Sequence, residues 1–278
     1  GGGGAIFVSS LWGINASLFF VSLLLFVNLL FILFFIFDDD AKTQTPPRRV
    51  GKVAHFVGTL GAFVREIYTG FIESGSGPRF GLLFALLPVG AMALAYALLS
   101  TLQVDYGLNE TQISQLSLGV ALTSAVACII GGILGSRFGA KRITTICYIA
   151  TVIPTIILAW QISSVGLTNI PIGTFRTLIL AHALLFGMGY GVRIALFMGM
   201  TNPAVAATQF TAYMALSNVA ISMGNYWQGM VAERLDYSVA LYLDAAIVIL
   251  ALCVLPFLKD REEKCPDGPA LREQSEAI

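Results

Sequence analysis

Seven apolar runs, separated mostly by short polar turns, occupy most of the chain: roughly residues 17–37, 79–101, 114–136, 143–163, 175–200, 206–231 and 238–258. A helix needs about 20 mostly apolar residues to cross ~30 Å of hydrocarbon, and every run meets that length. Lipid provides no partners for backbone amides, so each run is expected to be helical. The runs are apolar nearly all round and lack the polar face of a helix on a water-soluble protein. The pattern predicts an all-α, polytopic membrane helical bundle.

The polar interruptions divide the chain into four parts. Residues 1–37 hold a partial helix and one full membrane helix, joined by a turn at Gly13-Ile14-Asn15. The chain enters with membrane character at Gly1-Gly2-Gly3-Gly4-Ala5-Ile6-Phe7, as a C-terminal piece of a longer protein would; a short native leader is the alternative. Residues 38–78 form a linker with a turn at Thr45-Pro46-Pro47-Arg48. Beyond it Val50, Val53, Val57, Leu60, Val64, Ile67 and Phe71 recur at steps of three and four, which predicts an amphipathic helix with Lys52 and Arg65 off its apolar stripe. It suits the membrane surface or the underside of the bundle. Residues 79–258 hold six spans, and 259–278 form a polar tail.

Composition agrees with a membrane protein: 56% of residues are hydrophobic and 12% charged, against roughly 25% charged in soluble domains. The net charge is zero, so nothing points to a nucleic-acid partner. Cys128, Cys147, Cys253 and Cys265 have no paired metal or redox spacing and read as packing residues. Zinc-protease, phosphate-loop and nucleophile-elbow signatures are missing. No cofactor or metal is implied. An intramembrane enzyme would need a convergent set of ionisable residues, which the pattern does not offer.

The basic residues orient the bundle, because cytoplasmic loops retain them. With 38–78 inside, thirteen of the sixteen Lys and Arg residues are cytoplasmic, Arg176 and Arg234 are outside, and Arg193 lies within a helix. The last six spans then form two triads of opposite topology, the inverted repeat of secondary transporters. Gly131-x-x-x-Gly135 and Gly187-x-x-x-Gly191 allow close approach of helices.

The turn Gly132-Ile133-Leu134-Gly135-Ser136-Arg137-Phe138-Gly139-Ala140-Lys141-Arg142 lies on the predicted inner side. It resembles the loop signature of the major facilitator superfamily, Gly-x3-Asp-Arg-x-Gly-Arg-Lys/Arg, whose second occurrence falls between helices eight and nine. The resemblance implies a C-terminal six-helix bundle preceded by about one and a half helices of an N-terminal half. It also implies a conformational latch at Gly132, Arg137, Gly139 and Lys141. Glycine permits the tight turn, and Arg137 can cap helix-end carbonyls or pair with carboxylates. Ser136 and Ala140 depart from the signature, which points to a weaker latch. Thr201-Asn202-Pro203-Ala204-Val205-Ala206-Ala207-Thr208-Gln209-Phe210 is similar to a segment of AmpG-type muropeptide permeases and their acetyl-CoA transporter relatives. The stretch from Leu102 to Ile113 fits that branch too.

Polar residues inside the spans are the candidate site. A charge at the membrane centre costs about 2.5–3.5 kcal/mol on insertion scales, so it faces protein or water. His182, Phe186, Tyr190 and Arg193 share one face of the 175–200 run. Asn218, Ser222 and Asn225 share another, and Tyr96, Ser100 and Gln103 a third. Tyr190, Arg193, Asn218, Tyr96 and Asn225 are the candidate substrate-binding residues, with His182 for proton coupling. Their plainer readings stay open: Arg193 could snorkel, His182 could be a packing residue, and the stripes could be interhelical hydrogen bonds. Asp244 reads as structural or interfacial, Asp105 as solvated, and Asn109-Glu110-Thr111 as a chance sequon.

The reading is a secondary active transporter of a polar small solute by alternating access in a lipid bilayer. Resemblance adds proton coupling, a muropeptide-permease-like cargo, an N-terminal partner half and a bacterial inner membrane with the C-terminus cytoplasmic. The alternative is a truncated non-transporting membrane protein or scaffold. The orientation is testable by labelling cysteines introduced on a background without native ones. Ser136→Cys should react with an impermeant reagent only from the cytoplasmic side, and Asn169→Cys only from the other; the reverse pattern refutes the orientation.

Overall fold

The computed structural model describes residues 2–35, 68, 70–71, 76–87, 92–201, 205–253 and 255–257. Among these residues the regular structure is entirely helical. Helices α1 (Gly2–Trp12) and α2 (Ile14–Phe35) meet at Gly13, whose φ of 83° suits a residue without a Cβ. Ser17 Oγ donates to the Ala5 carbonyl at 2.6 Å and ties the two helices across that turn. The expected amphipathic helix lies outside the described residues except for Tyr68, Gly70 and Phe71, and so does the tail.

The 79–101 run is not one continuous helix. It is divided into α3 (Ser76–Leu86), a short 3-10 turn at Met92–Leu94 and α4 (Leu99–Asp105). Pro88 and Gly90 lie between α3 and the 3-10 turn. Proline removes a backbone donor and disfavours helix in the residue before it, and glycine weakens what remains. The stripe of Tyr96, Ser100 and Gln103 is therefore lost, because Tyr96 sits in the turn before α4. Gln103 is instead buried, and its Oε1 accepts from Ser117 Oγ at 3.4 Å.

The remaining runs form α5 (Glu110–Phe138), α6 (Ala140–Val165), α7 (Ile172–Met200), α8 (Ala206–Arg234) and α9 (Tyr237–Leu252). Among the described residues four helices are long and apolar enough to cross a membrane: α2, α5, α6 and α7. Helix α8 has 29 residues, but polar side chains lower its hydropathy. Helix α9 has 16 residues, about 24 Å of rise, followed by a 3-10 turn at Leu255–Phe257.

The packing follows the two triads. The second helix of the first triad, α5, lies against the first of the second, α7; the mirror pair, α3 and α8, also packs together. The third helices, α6 and α9, pack on each other. Helix α7 also packs closely against α6. Helix α1 lies against α5.

Glycine controls the tightest crossing. A Cβ on Gly131 would lie 2.2 Å from the Met188 carbonyl oxygen, and one on Gly191 would lie 2.3 Å from that of Cys128. From the same interface, Gly187 faces Ser124 backbone and Gly135 faces Val192. Helices α5 and α7 thus touch backbone to backbone, and Ser124 Oγ adds a hydrogen bond to the Ala183 carbonyl at 3.2 Å.

Polar caps and buried glutamine fix the ends. Asn109 caps α5: its Oδ1 accepts from Gln112 N at 2.9 Å, and its own N–H donates to Gln112 Oε1 at 3.1 Å. That gives Asn109 a structural task in the segment read as a sequon. Asp105, expected to be merely solvated, is exposed yet accepts a hydrogen bond from the Tyr237 hydroxyl, joining α4 to the start of α9. At the other end Gln209 Nε2 donates to the Gly70 carbonyl and Tyr213 OH to that of Pro78 at 3.3 Å, holding the entry to α3 against α8.

Gly191→Leu should lower the thermal midpoint of the detergent-solubilised protein sharply, since overpacking costs about 1–3 kcal/mol even where the surroundings can yield. Gly132→Leu should leave it nearly unchanged, because a Cβ there meets nothing within 4 Å. Equal effects in a thermal-unfolding assay would refute the crossing.

Candidate functional site

Helix α7 carries an aromatic ladder along one face. The His182 ring stacks on Phe186 with centroids 5.8 Å apart, and Phe186 stacks on Tyr190 at 6.2 Å. The four-residue spacing places successive rings one above the other. Tyr96, from the turn before α4, meets Phe186 edge-on at 5.9 Å. The broken first helix of one triad thereby reaches the first helix of the other.

Below the ladder a small cleft opens between α7, α8 and Tyr96. Tyr96, Tyr190, Arg193, Ser217 and Asn218 supply its polar lining. Ile194, Phe197, Met214 and Ile221 supply the apolar part. About 20 Å³ is open to the centres of water molecules, room for about one or two waters.

Arg193 dominates the cleft. It is 5% exposed. Its Nη2 donates to Ser217 Oγ, and Ser217 Oγ in turn donates to the Tyr213 carbonyl at 2.8 Å. The guanidinium carbon lies 5.2 Å from the Phe197 ring centroid, in cation–π range. Tyr148, fully buried on α6, places its hydroxyl beside the Arg193 guanidinium. Among the described residues no carboxylate pairs with Arg193. A guanidinium has five N–H donors, and the groups around this one are the neutral hydroxyls of Ser217 and Tyr148. The cation is held by neutral groups and aimed at a cleft.

The structure gathers Tyr96, Tyr190, Arg193 and Asn218 at one place. His182 is elsewhere: it is 1% exposed, absent from the lining, and about 16 Å along α7 from Arg193 by helical rise. Asn225 is exposed on α8, about 10 Å beyond Asn218. Ser217, Phe197 and Tyr148 were not among the candidates. Ser217 was readable from a buried i, i+4 series on α8, Gln209–Tyr213–Ser217, next to the exposed stripe of Asn218, Ser222 and Asn225.

The inner turn has a different character. Helix α5 ends at Phe138, and α6 begins at Ala140, leaving Gly139 alone with φ 93°. Its N–H donates to the Gly135 carbonyl at 3.1 Å, and its own carbonyl accepts from Ile143 N at 3.1 Å. This single residue reverses the chain and needs glycine. Arg137 is exposed, and among the described residues it neither caps nor pairs; its guanidinium lies 5.6 Å from the ring centroid of Phe138. Lys141 is half-buried, and Gly132 faces open space. Among the described residues no group of three or more His, Cys, Asp or Glu could hold a metal ion.

The family model described as Major Facilitator Superfamily matches residues 80–277. The comparison with curated proteins returned no match. The matched stretch begins at α3, carries the Gly139 turn and the Arg193 cleft, and covers more than half of the sequence. The chain belongs to the Major Facilitator Superfamily, a family of multi-pass membrane transporters of small molecules.

Proposed function

We propose that this chain works in a secondary active transporter that carries a polar, anionic small solute by alternating access, with Arg193 as the anion-recognising group. The observation that carries this reading is the buried guanidinium of Arg193, facing a cleft with no carboxylate partner among the described residues. An intramembrane charge without a partner marks a substrate or ion pathway. Tyr190, Tyr96 and Asn218 surround it with hydroxyl and amide groups that suit a polyhydroxylated or amide-bearing solute. Ser217 fixes the fork of the guanidinium, and Phe197 covers one of its faces.

The cleft is one wall of a site. In this reading the exposed stripe of Asn218, Ser222 and Asn225 faces an N-terminal half that closes the other side. Resemblance to the muropeptide permease branch makes an anhydromuropeptide the first cargo to test, in a bacterial inner membrane with the C-terminus cytoplasmic. It also makes the proton gradient the driving force. The Gly139 turn, with Arg137 and Lys141 beside it, serves as the latch at the inner face. His182 remains the proton-coupling candidate on the transport face, sealed and stacked above the cleft.

The test is uptake into proteoliposomes made with the complete gene product. Arg193→Gln should lower uptake at sub-saturating solute by roughly 30-fold or more, as expected for loss of one partner in a buried charged pair. Arg193→Lys should recover part of it, since charge returns without the planar fork. Tyr190→Ala should also abolish uptake with membrane expression intact. Unchanged uptake in Arg193→Gln and Tyr190→Ala would reject the site. Anionic solutes should compete better than neutral analogues of the same size; the opposite order would reject the anionic cargo.

A further inference from the structure

Asp244 lies on α9, outside the cleft, and is 1% exposed. Gln228 Nε2, on α8, donates to Asp244 Oδ1 at 2.6 Å. The backbone N–H of Ala93, in the 3-10 turn of the broken first helix, donates to Oδ2 at 3.3 Å. One carboxyl group therefore joins α8, α9 and the break between α3 and α4.

Neither donor is charged, and among the described residues no charged group compensates from elsewhere. On α8, Glu233 and Arg234 sit at the exposed end of the helix. On α6, Lys141 and Arg142 lie about 25 Å along the axis from Leu158 and Ala159, which pack beside Ala240 and Leu241. The 3-10 turn brings only Ala93 and Leu94 into that core. On α9 itself, Tyr237 is engaged with Asp105 and Tyr242 is exposed. Among the described residues Asp244 interacts with Ala93 and Gln228. A carboxylate in such surroundings keeps most of its desolvation cost.

The second observation is an unmatched acceptor. Gln228 is fully buried, and among the described residues its Oε1 has no hydrogen-bond partner. The amide that grips the carboxylate thus leaves a buried oxygen without a donor, a costly arrangement. A proton on Asp244 supplies that donor. The acid O–H would then turn to Gln228 Oε1 while Gln228 Nε2 still donates to the other carboxyl oxygen. Both carboxyl oxygens already receive N–H donors, which favours a proton over a metal ion needing several free oxygens.

We propose that Asp244 and Gln228 form a proton-binding site, and that the bound proton sets the hold on Ala93 at the break in the first helix. The proton arrives from water and returns to it; no other bond forms or breaks. The ionised acid makes a charge-assisted bond to the Ala93 N–H, and the neutral acid a weaker one. The proton thereby biases the hinge beside Tyr96, at the rim of the Arg193 cleft. The use of this proton in transport rests on the function proposed above, whereas its binding does not.

Infrared difference spectroscopy of the chain in lipid nanodiscs, titrated with acid, tests the site without any transport assay. The carboxylic C=O stretch of a buried acid should grow as pH falls and be wholly lost in Asp244→Asn. In Gln228→Leu, which keeps the acid and removes its acceptor, the band should shift to higher frequency, so the test survives misfolding of the first variant. A band unchanged in both variants, or no band over the pH range in which the protein stays folded, overturns the proposal. A band suppressed by sodium chloride at constant pH also overturns it and assigns the site to a metal cation. If Arg193 variants transport normally while the band behaves as expected, the cleft assignment fails and this site stands.

Discussion

The backbone contact between α5 and α7 is the constraint on which the other arrangements depend. In lipid, apolar side chains gain little by leaving hydrocarbon for a protein neighbour, so helix association relies on close packing and interhelical hydrogen bonds. Gly131 against Met188 and Gly191 against Cys128 bring the two backbones into contact. That contact fixes the rotation of α7 about its axis. The same rotation turns Gly189 toward Tyr148 on α6, and sets Tyr190 and Arg193 toward α8. A bulkier residue at the crossing would move the cleft as well as loosen the bundle.

Polar groups are then distributed according to what each can satisfy. Arg193 sits where Ser217 and Phe197 can hold a guanidinium without neutralising it. Asp244 sits where an amide and a backbone N–H reach it. The two ions are kept apart and do not pair. A direct pair would have reduced the desolvation cost of both, so their separation fits two distinct tasks. Between them lies the break in the first helix, which gives Tyr96 to the cleft and Ala93 to the carboxylate. An interrupted helix is tolerated at membrane depth when its backbone is buried in protein, and Ala93 and Leu94 are buried in this way.

Much of this was legible in the chain because two of its signals act locally. The apolar runs are long, and the boundaries of α5, α6 and α7 fall within a few residues of the expected ones. The paired glycines announced a close crossing, and Gly13 and Gly139 announced turns that only glycine makes easily. The stripes on α7 and α8 followed from helical spacing, which is why Tyr190, Arg193 and Asn218 could be proposed together. The reading failed at 79–101, where hydropathy averaged over Pro88 and Gly90. It also separated residues that later met, since Gln228 and Asp244 carry no mutual spacing, nor do Ala93 and Asp244.

The chain by itself determined that helices must cross a bilayer, which segments they use and which faces are polar, because lipid leaves an unpaired backbone no other outcome. Only the tertiary structure decided which polar faces meet, which helix is broken, and that the lone acid of α9 grips that break. Those outcomes depend on how helices rotate and seat against one another. That is settled by side-chain volume at a few crossings far apart in the sequence, and local periodicity does not report it.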